Sequence, residues 1–135
     1  MVTMYNRAIA QYSQIDFCIG KISANTAYLD LACFDAQQAL EFLMKHILIE
    51  HGVQVKKTHN IGYLLDLLNS IGFNFDLKED LSSIADTITN WEQTSQHGLG
   101  VRTTINTVNR VKKIFDSMQQ AYLSEHGKNN MGSSE

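Results

Sequence analysis

Residues 28–52 read Tyr28-Leu29-Asp30-Leu31-Ala32-Cys33-Phe34-Asp35-Ala36-Gln37-Gln38-Ala39-Leu40-Glu41-Phe42-Leu43-Met44-Lys45-His46-Ile47-Leu48-Ile49-Glu50-His51-Gly52. Leu29, Ala32, Ala36, Ala39, Leu43 and Ile47 recur at spacings of three and four, which places them along one face of an α-helix. A second row, Leu31, Phe34, Phe42 and Ile49, widens the apolar surface, so the helix is expected to touch neighbours on more than one side. The alanines on the main stripe let a partner backbone come close. Glu41 precedes Lys45 by four residues, the orientation that supports a helix, and Gly52 supplies a left-handed stop. The stretch reads as the central helix of a bundle.

Working outward, Ile9, Tyr12, Ile15, Ile19 and Ile22 form an apolar row that predicts a first helix over residues 5–22, and Asn25 or Thr26 is placed to cap the helix that follows. After the loop at residues 53–58, Ile61, Leu64, Leu65, Leu68 and Ile71 mark the inner face of a third helix, closed by Gly72. Asp76 and Glu79 have capping-box spacing ahead of a fourth, with Leu81, Ile84, Ala85, Ile88 and Trp91 inward. Gly98-Leu99-Gly100 breaks the pattern, and Val101, Ile105, Val108, Val111, Phe115, Met118 and Tyr122 then predict a fifth. Residues 127–135 are small, polar and aperiodic and read as a disordered tail behind a single domain at 1–126. The expected fold is all-α, an antiparallel bundle of four to five helices.

The 135 residues, 44% of them hydrophobic, suit one core. Proline is absent, which leaves long helices uninterrupted, and no alternation of the strand type is visible. Cys18 and Cys33 form no Cys-x-x-Cys pair and both fall in predicted helices, so they read as core residues of a protein in a reducing cytoplasm. No stretch approaches the roughly 18 apolar residues of a membrane span, and the first ten residues lack the pattern of a leader. A formal charge of −3 provides no global attraction to nucleic acid, so an RNA contact would need a local patch.

Ala32-Cys33-Phe34-Asp35-Ala36-Gln37-Gln38-Ala39-Leu40-Glu41, then Lys45, Gly52 and Lys57-Thr58-His59-Asn60-Ile61, resemble the core signature of the HEPN domain family, whose name stands for higher eukaryotes and prokaryotes nucleotide-binding. The resemblance implies a helical bundle, commonly dimeric, often encoded with a small nucleotidyltransferase. It also implies a choice of branch, since many members are metal-independent ribonucleases acting as toxins or defence effectors. Active members carry an Arg, four to six spacer residues and a His. Here Arg7, Arg102 and Arg110 are not followed by a histidine at that distance, and Gln96-His97 stands where many members have an Arg-Tyr pair.

Several local groups remain as candidates. His97 and Arg102 occur in the reversed order, and a two-fold axis could bring one to the other across a dimer, which is the basis of the alternative reading as a ribonuclease with a divergent active site. An exposed loop histidine beside a helix-start arginine is also an ordinary surface. Lys56, Lys57 and His59 lie at the start of the third helix, a plausible phosphate corner, although Thr58 or Asn60 as a cap with His59 packed onto the second helix accounts for the same residues. Arg102, Asn106, Asn109, Arg110 and Lys113 fall on one side of the fifth helix as a basic stripe without an aromatic to stack a base. His46 and His51 point to different sides of their helix, and no metal or other cofactor is expected. The function expected is a non-catalytic dimer that binds a nucleotide, RNA or a partner nucleotidyltransferase, with Trp91 and Leu99 contributing to the two-fold contact.

Overall fold

The computed structural model describes residues 3–91 and 100–133, with side chains described as far as residue 125 in the last helix. Among these residues there are five helices, α1 (Met4–Lys21), α2 (Ala27–Glu50), α3 (Ile61–Ser70), α4 (Lys78–Asn90) and α5 (Val101–Ser133), and no strand. α2 is central: its Leu29, Ala32, Ala36, Ala39, Leu43 and Ile47 are all buried, as their spacing predicts. α1 packs against α2 in the opposite direction, with Tyr5 against His46 at one end and Gln11 and Cys18 beside Asp35 further along. α5 returns beside both, stacking Phe115 on Tyr12 with ring centroids 4.4 Å apart.

The helix ends follow the local chemistry. α2 and α3 finish alike, because Gly52 and Gly72 take φ of 78° and 75° and so let Val53 N–H and Phe73 N–H reach back to the carbonyls of Leu48 and Leu68, each at 3.0 Å. Asn60 caps α3, its Oδ1 accepting from Tyr63 N–H at 2.9 Å, and Asn25 Oδ1 accepts from Ala27 N–H at the start of α2. The capping box expected of Asp76 and Glu79 does not form. α4 begins one residue later than that box requires, with Leu77 in the cap position and its N–H donating to Ser117 Oγ of α5 at 3.2 Å. A contact from another helix has taken the place of a local one.

Three apolar readings need correction. α2 does touch neighbours on more than one side, but not through the row Leu31, Phe34, Phe42 and Ile49: among the described residues Leu31, Phe34 and Ile49 are 49%, 47% and 52% exposed, and only Phe42 packs against the core. Trp91 is part of the core, as its place on the inner row of the fourth helix predicts and not as a contributor to a two-fold surface, and Leu99 lies outside the described residues. Val101, at the very start of α5, is exposed rather than inward. The backbone of α5 is helical as far as Ser133, and Tyr122 is its last buried side chain among those described. A glycine in a helix costs about 1 kcal/mol relative to alanine, which weakens but does not forbid continuation.

Inside α2 three polar side chains are buried, Asp35, Gln37 and Glu41. Asp35 accepts from Gln11 Nε2 and from Cys18 Sγ, both on α1. Gln37 Nε2 donates to the carbonyls of Ile88 and Thr89 at 3.1 and 3.3 Å, holding the last turn of α4, and Thr89 Oγ1 in turn accepts from Ile61 N–H at the start of α3. Cys18 and Cys33 are unpaired and buried. Burial, with the hydrogen bond to Asp35 adding to it, pushes the Cys18 thiol up to about 11, and burial with the nearby charge of Asp30 pushes Cys33 up to about 12.

Replacing Gln37→Leu removes the donor that the Ile88 and Thr89 carbonyls share and is expected to destabilise the fold by about 1–3 kcal/mol, read by urea denaturation. Because both thiols stay protonated, iodoacetamide at about pH 8 is expected to leave the folded protein unmodified and to label both cysteines once it is denatured.

Candidate functional site

The residues at the α2–α3 corner are organised by a buried carboxylate. Glu41 is 2% exposed, and a carboxylate removed from water needs hydrogen-bonding partners to remain ionised. It has two: His59 Nδ1 at 2.8 Å from Oε1 and Lys45 Nζ at 3.3 Å from Oε2. Asn60, by capping α3, and Thr58, whose Oγ1 accepts from Asn60 N–H at 3.1 Å, fix the backbone on which His59 is carried. His59 thus packs back onto α2, with about half of its side chain still exposed. A carboxylate-held imidazole has a fixed ring orientation and can hand on or take up a proton at its other nitrogen.

The neighbouring lysines behave differently from one another. Lys56 Nζ lies 4.5 Å above the ring of Tyr63, a cation–π contact that pins its head near the start of α3, whereas Lys57 is exposed. On α5, Arg102 and Lys113 are exposed as the stripe requires. Arg110 is not available in the same sense: its guanidinium pairs with Asp80 and donates to Ser83 Oγ at 3.1 Å, tying α5 to α4. Lys112, next to the stripe, is paired with Asp16 of α1. Of the cations expected to meet a ligand, Lys57, Arg102 and Lys113 are exposed, Lys56 is partly engaged and Arg110 serves the packing. His97 and Gln96 lie outside the described residues.

A second polar cluster was not foreseen from the sequence. At the C-terminal end of α2, His46 Nε2 lies 3.0 Å from Tyr122 Oη and 3.1 Å from Glu50 Oε2, and the Tyr122 hydroxyl donates to Glu50 Oε1 at 3.0 Å. Since the hydroxyl proton goes to Glu50, the contact with His46 places the imidazole proton on Nε2. Tyr5 of α1 packs on both rings and accepts from Gln119 Nε2 at 3.0 Å, and His51 pairs with Glu125 one turn along. Burial first, then the hydrogen bond and charge of Glu50, raise the Tyr122 phenol well above its ordinary value. His46 and His51 thus each join α2 to α5 separately. Among the described residues no three His, Cys, Asp or Glu side chains are placed to hold a metal, and no helix is long and apolar enough to cross a membrane.

The arrangement of four helices around a central α2 that buries three polar side chains accompanies a match of the chain to the family model described as HEPN domain, over residues 11–122. The chain belongs to the HEPN domain family. The matched span takes in the first helix from residue 11 onward, all of α2 to α4 and α5 as far as Tyr122. No curated protein and no solved structure matches the chain. In this HEPN domain the signature residues Asp35, Gln37, Glu41 and His59 are among those that tie α2 to its neighbours, while Lys45 pairs with Glu41 within α2.

The Glu41–His59 pair separates a structural from a chemical role. Removing only the imidazole leaves a buried carboxylate with one partner, so His59→Ala is expected to cost about 1–3 kcal/mol of stability. Glu41→Leu combined with His59→Ala should recover part of that loss, and denaturation of the two single variants and the double one, taken as a cycle, measures the coupling.

Proposed function

We propose that this HEPN domain is a non-catalytic recognition module, acting as a homodimer in the cytoplasm, that binds a phosphate-bearing ligand, RNA or a nucleotide, beside a partner nucleotidyltransferase in a toxin–antitoxin or defence setting. Membership of the family supports the nucleic-acid-related role. The observation that carries the non-catalytic part is the spacing of its arginines, none of which precedes a histidine by the interval that the active members of the family use. The exposed cations Lys57, Arg102 and Lys113 support ligand binding through phosphate rather than through bases, as no aromatic residue interleaves with the two on α5. The unpaired thiols suit a reducing compartment.

The ribonuclease alternative rests on His97 with Arg102, and it is separated by incubation with labelled RNA. We expect binding without cleavage by fluorescence anisotropy with a short single-stranded RNA, weakening steeply with salt. Arg102→Ala and Lys113→Ala should each reduce the magnitude of the salt slope by about 1, while Arg110→Ala should act mainly on stability. Absence of binding at low salt to RNA and to nucleotides alike would remove the recognition role, and cleavage lost on His97→Ala would establish the alternative.

A further inference from the structure

Between the α3–α4 connection and α5 lies an open cleft of about 580 Å³, a size usual for small-molecule sites, that neither the core nor the proposed phosphate surface uses. Its two walls are joined by the hydrogen bond from Leu77 N–H to Ser117 Oγ at 3.2 Å, the contact that stands in for a local cap on α4. Asp76 is thereby left without the role that its spacing from Glu79 suggested. Among the described residues its carboxylate makes no hydrogen bond and no ion pair; it is exposed and lines the cleft.

The opposite wall carries a second carboxylate. Asp116 of α5 accepts a hydrogen bond from the Tyr12 hydroxyl of α1, and burial first, then that hydrogen bond and the charge of Asp116, raise the Tyr12 phenol above its ordinary value. The phenol therefore stays a donor at neutral pH and holds the carboxylate in one orientation. Gln120 and Ser124, one and two turns further along α5, bring an amide and a hydroxyl oxygen to the same wall, and their side chains make no hydrogen bond among the described residues. Between the walls, Phe75, Leu77 and Ala121 form an apolar floor. No lysine, arginine or histidine among the described residues lines the cleft, and Lys78 beside it is turned to Asn74 Oδ1 at 3.0 Å.

A carboxylate on each wall with an apolar floor between them matches an alkyl chain that bears an ammonium group at each end. An ammonium group has three donors and no acceptor, so it suits a lining whose charged groups only accept. An anion would meet like charge from both walls. We propose that this cleft binds a small aliphatic diamine or polyamine, with one ammonium group on Asp76, another on Asp116 and the chain laid over Phe75, Leu77 and Ala121. Gln120 and Ser124 accept the remaining donors of the ammonium group on α5. Each carboxylate is exposed, so a single pair contributes little; affinity comes from engaging both at once between walls already fixed by Ser117 and Tyr12. The ligand is opposite in charge to the one proposed above, and the two sites do not depend on each other.

Titration calorimetry of the whole chain with 1,4-diaminobutane, against sodium chloride of equal ionic strength, tests this, and amide chemical shifts locate the ligand. Saturable binding is expected, with shifts confined to residues 74–77 and 116–124. The monoamine 1-aminobutane, with the same chain and one charge, is expected to bind about tenfold more weakly. Asp116→Asn keeps an acceptor for Tyr12 while removing the charge, and it and Asp76→Asn should each weaken diamine binding by about tenfold. Asp66→Asn, at an exposed position on α3 that is not part of the cleft, removes the same charge and should leave the affinity unchanged. If an asparagine variant lost its fold, Ala121→Leu, which fills the floor and keeps both carboxylates, should abolish binding with the helical circular dichroism intact. No saturable binding at millimolar diamine, shifts spread over the whole acidic surface, equal affinity for the monoamine, or an equal loss in Asp66→Asn would each overturn the proposal.

Discussion

A helix surrounded on most of its circumference cannot carry a charge or an amide unless another element supplies the partner, and α2 carries three such groups. Each is answered from a different direction. Asp35 takes its hydrogen bonds from α1, Gln37 gives its own to the last turn of α4, and Glu41 is met by His59 from the connection into α3. Apolar packing would let those neighbours slide by a fraction of a turn at little cost, whereas a buried polar atom left without its partner costs on the order of 1–3 kcal/mol. The polar residues of the central helix therefore set the register in which the apolar ones pack.

The same reasoning explains how the signature stretch reads in three dimensions. Its alanines bring the neighbouring backbones close, its leucines and Met44 fill the interior, and its polar members choose among otherwise similar packings. α5 is held less by its own sequence than by the ends of others: Ser117 receives the amide that opens α4, Arg110 reaches Asp80, and Tyr122 closes on His46 and Glu50. Surface charge that looks like a ligand patch in a helical projection is thus divided between packing and solvent, with Arg110 and Lys112 on one side of that division and Arg102 and Lys113 on the other.

What could be read beforehand was whatever is written within one helix. The apolar periods of α2, α3 and α4, the glycine stops at Gly52 and Gly72 and the cap at Asn60 depend on residues a few positions apart, and the structure places them as those patterns require. What could not be read depends on residues distant in the chain. Glu41 was legible as a helix-supporting partner of Lys45, but its meeting with His59, and the convergence of Tyr5, His46 and Tyr122, need the fold itself. An acidic residue flanked by core positions was the available signal, because such a position is rarely left without a partner. The failure of Asp76 to cap α4 has the same origin, since Ser117 lies on another helix. The outer row of α2 was recognised as apolar but assigned neighbours that the described residues do not supply.

The hairpin of α1 and α2 also bears on how the chain reaches this state. Its two members are joined by a connection of a few residues, and its contacts, Phe17 with Tyr28 near the bend and Asp35 with Cys18 and Gln11 beyond it, close small loops of chain. The stacking of Phe115 on Tyr12 must instead await the return of α5 from the far end of the sequence. Loop-closure entropy grows with the length enclosed, so the contacts of the hairpin close at a smaller entropic cost than those that bring α5 back from the far end of the chain.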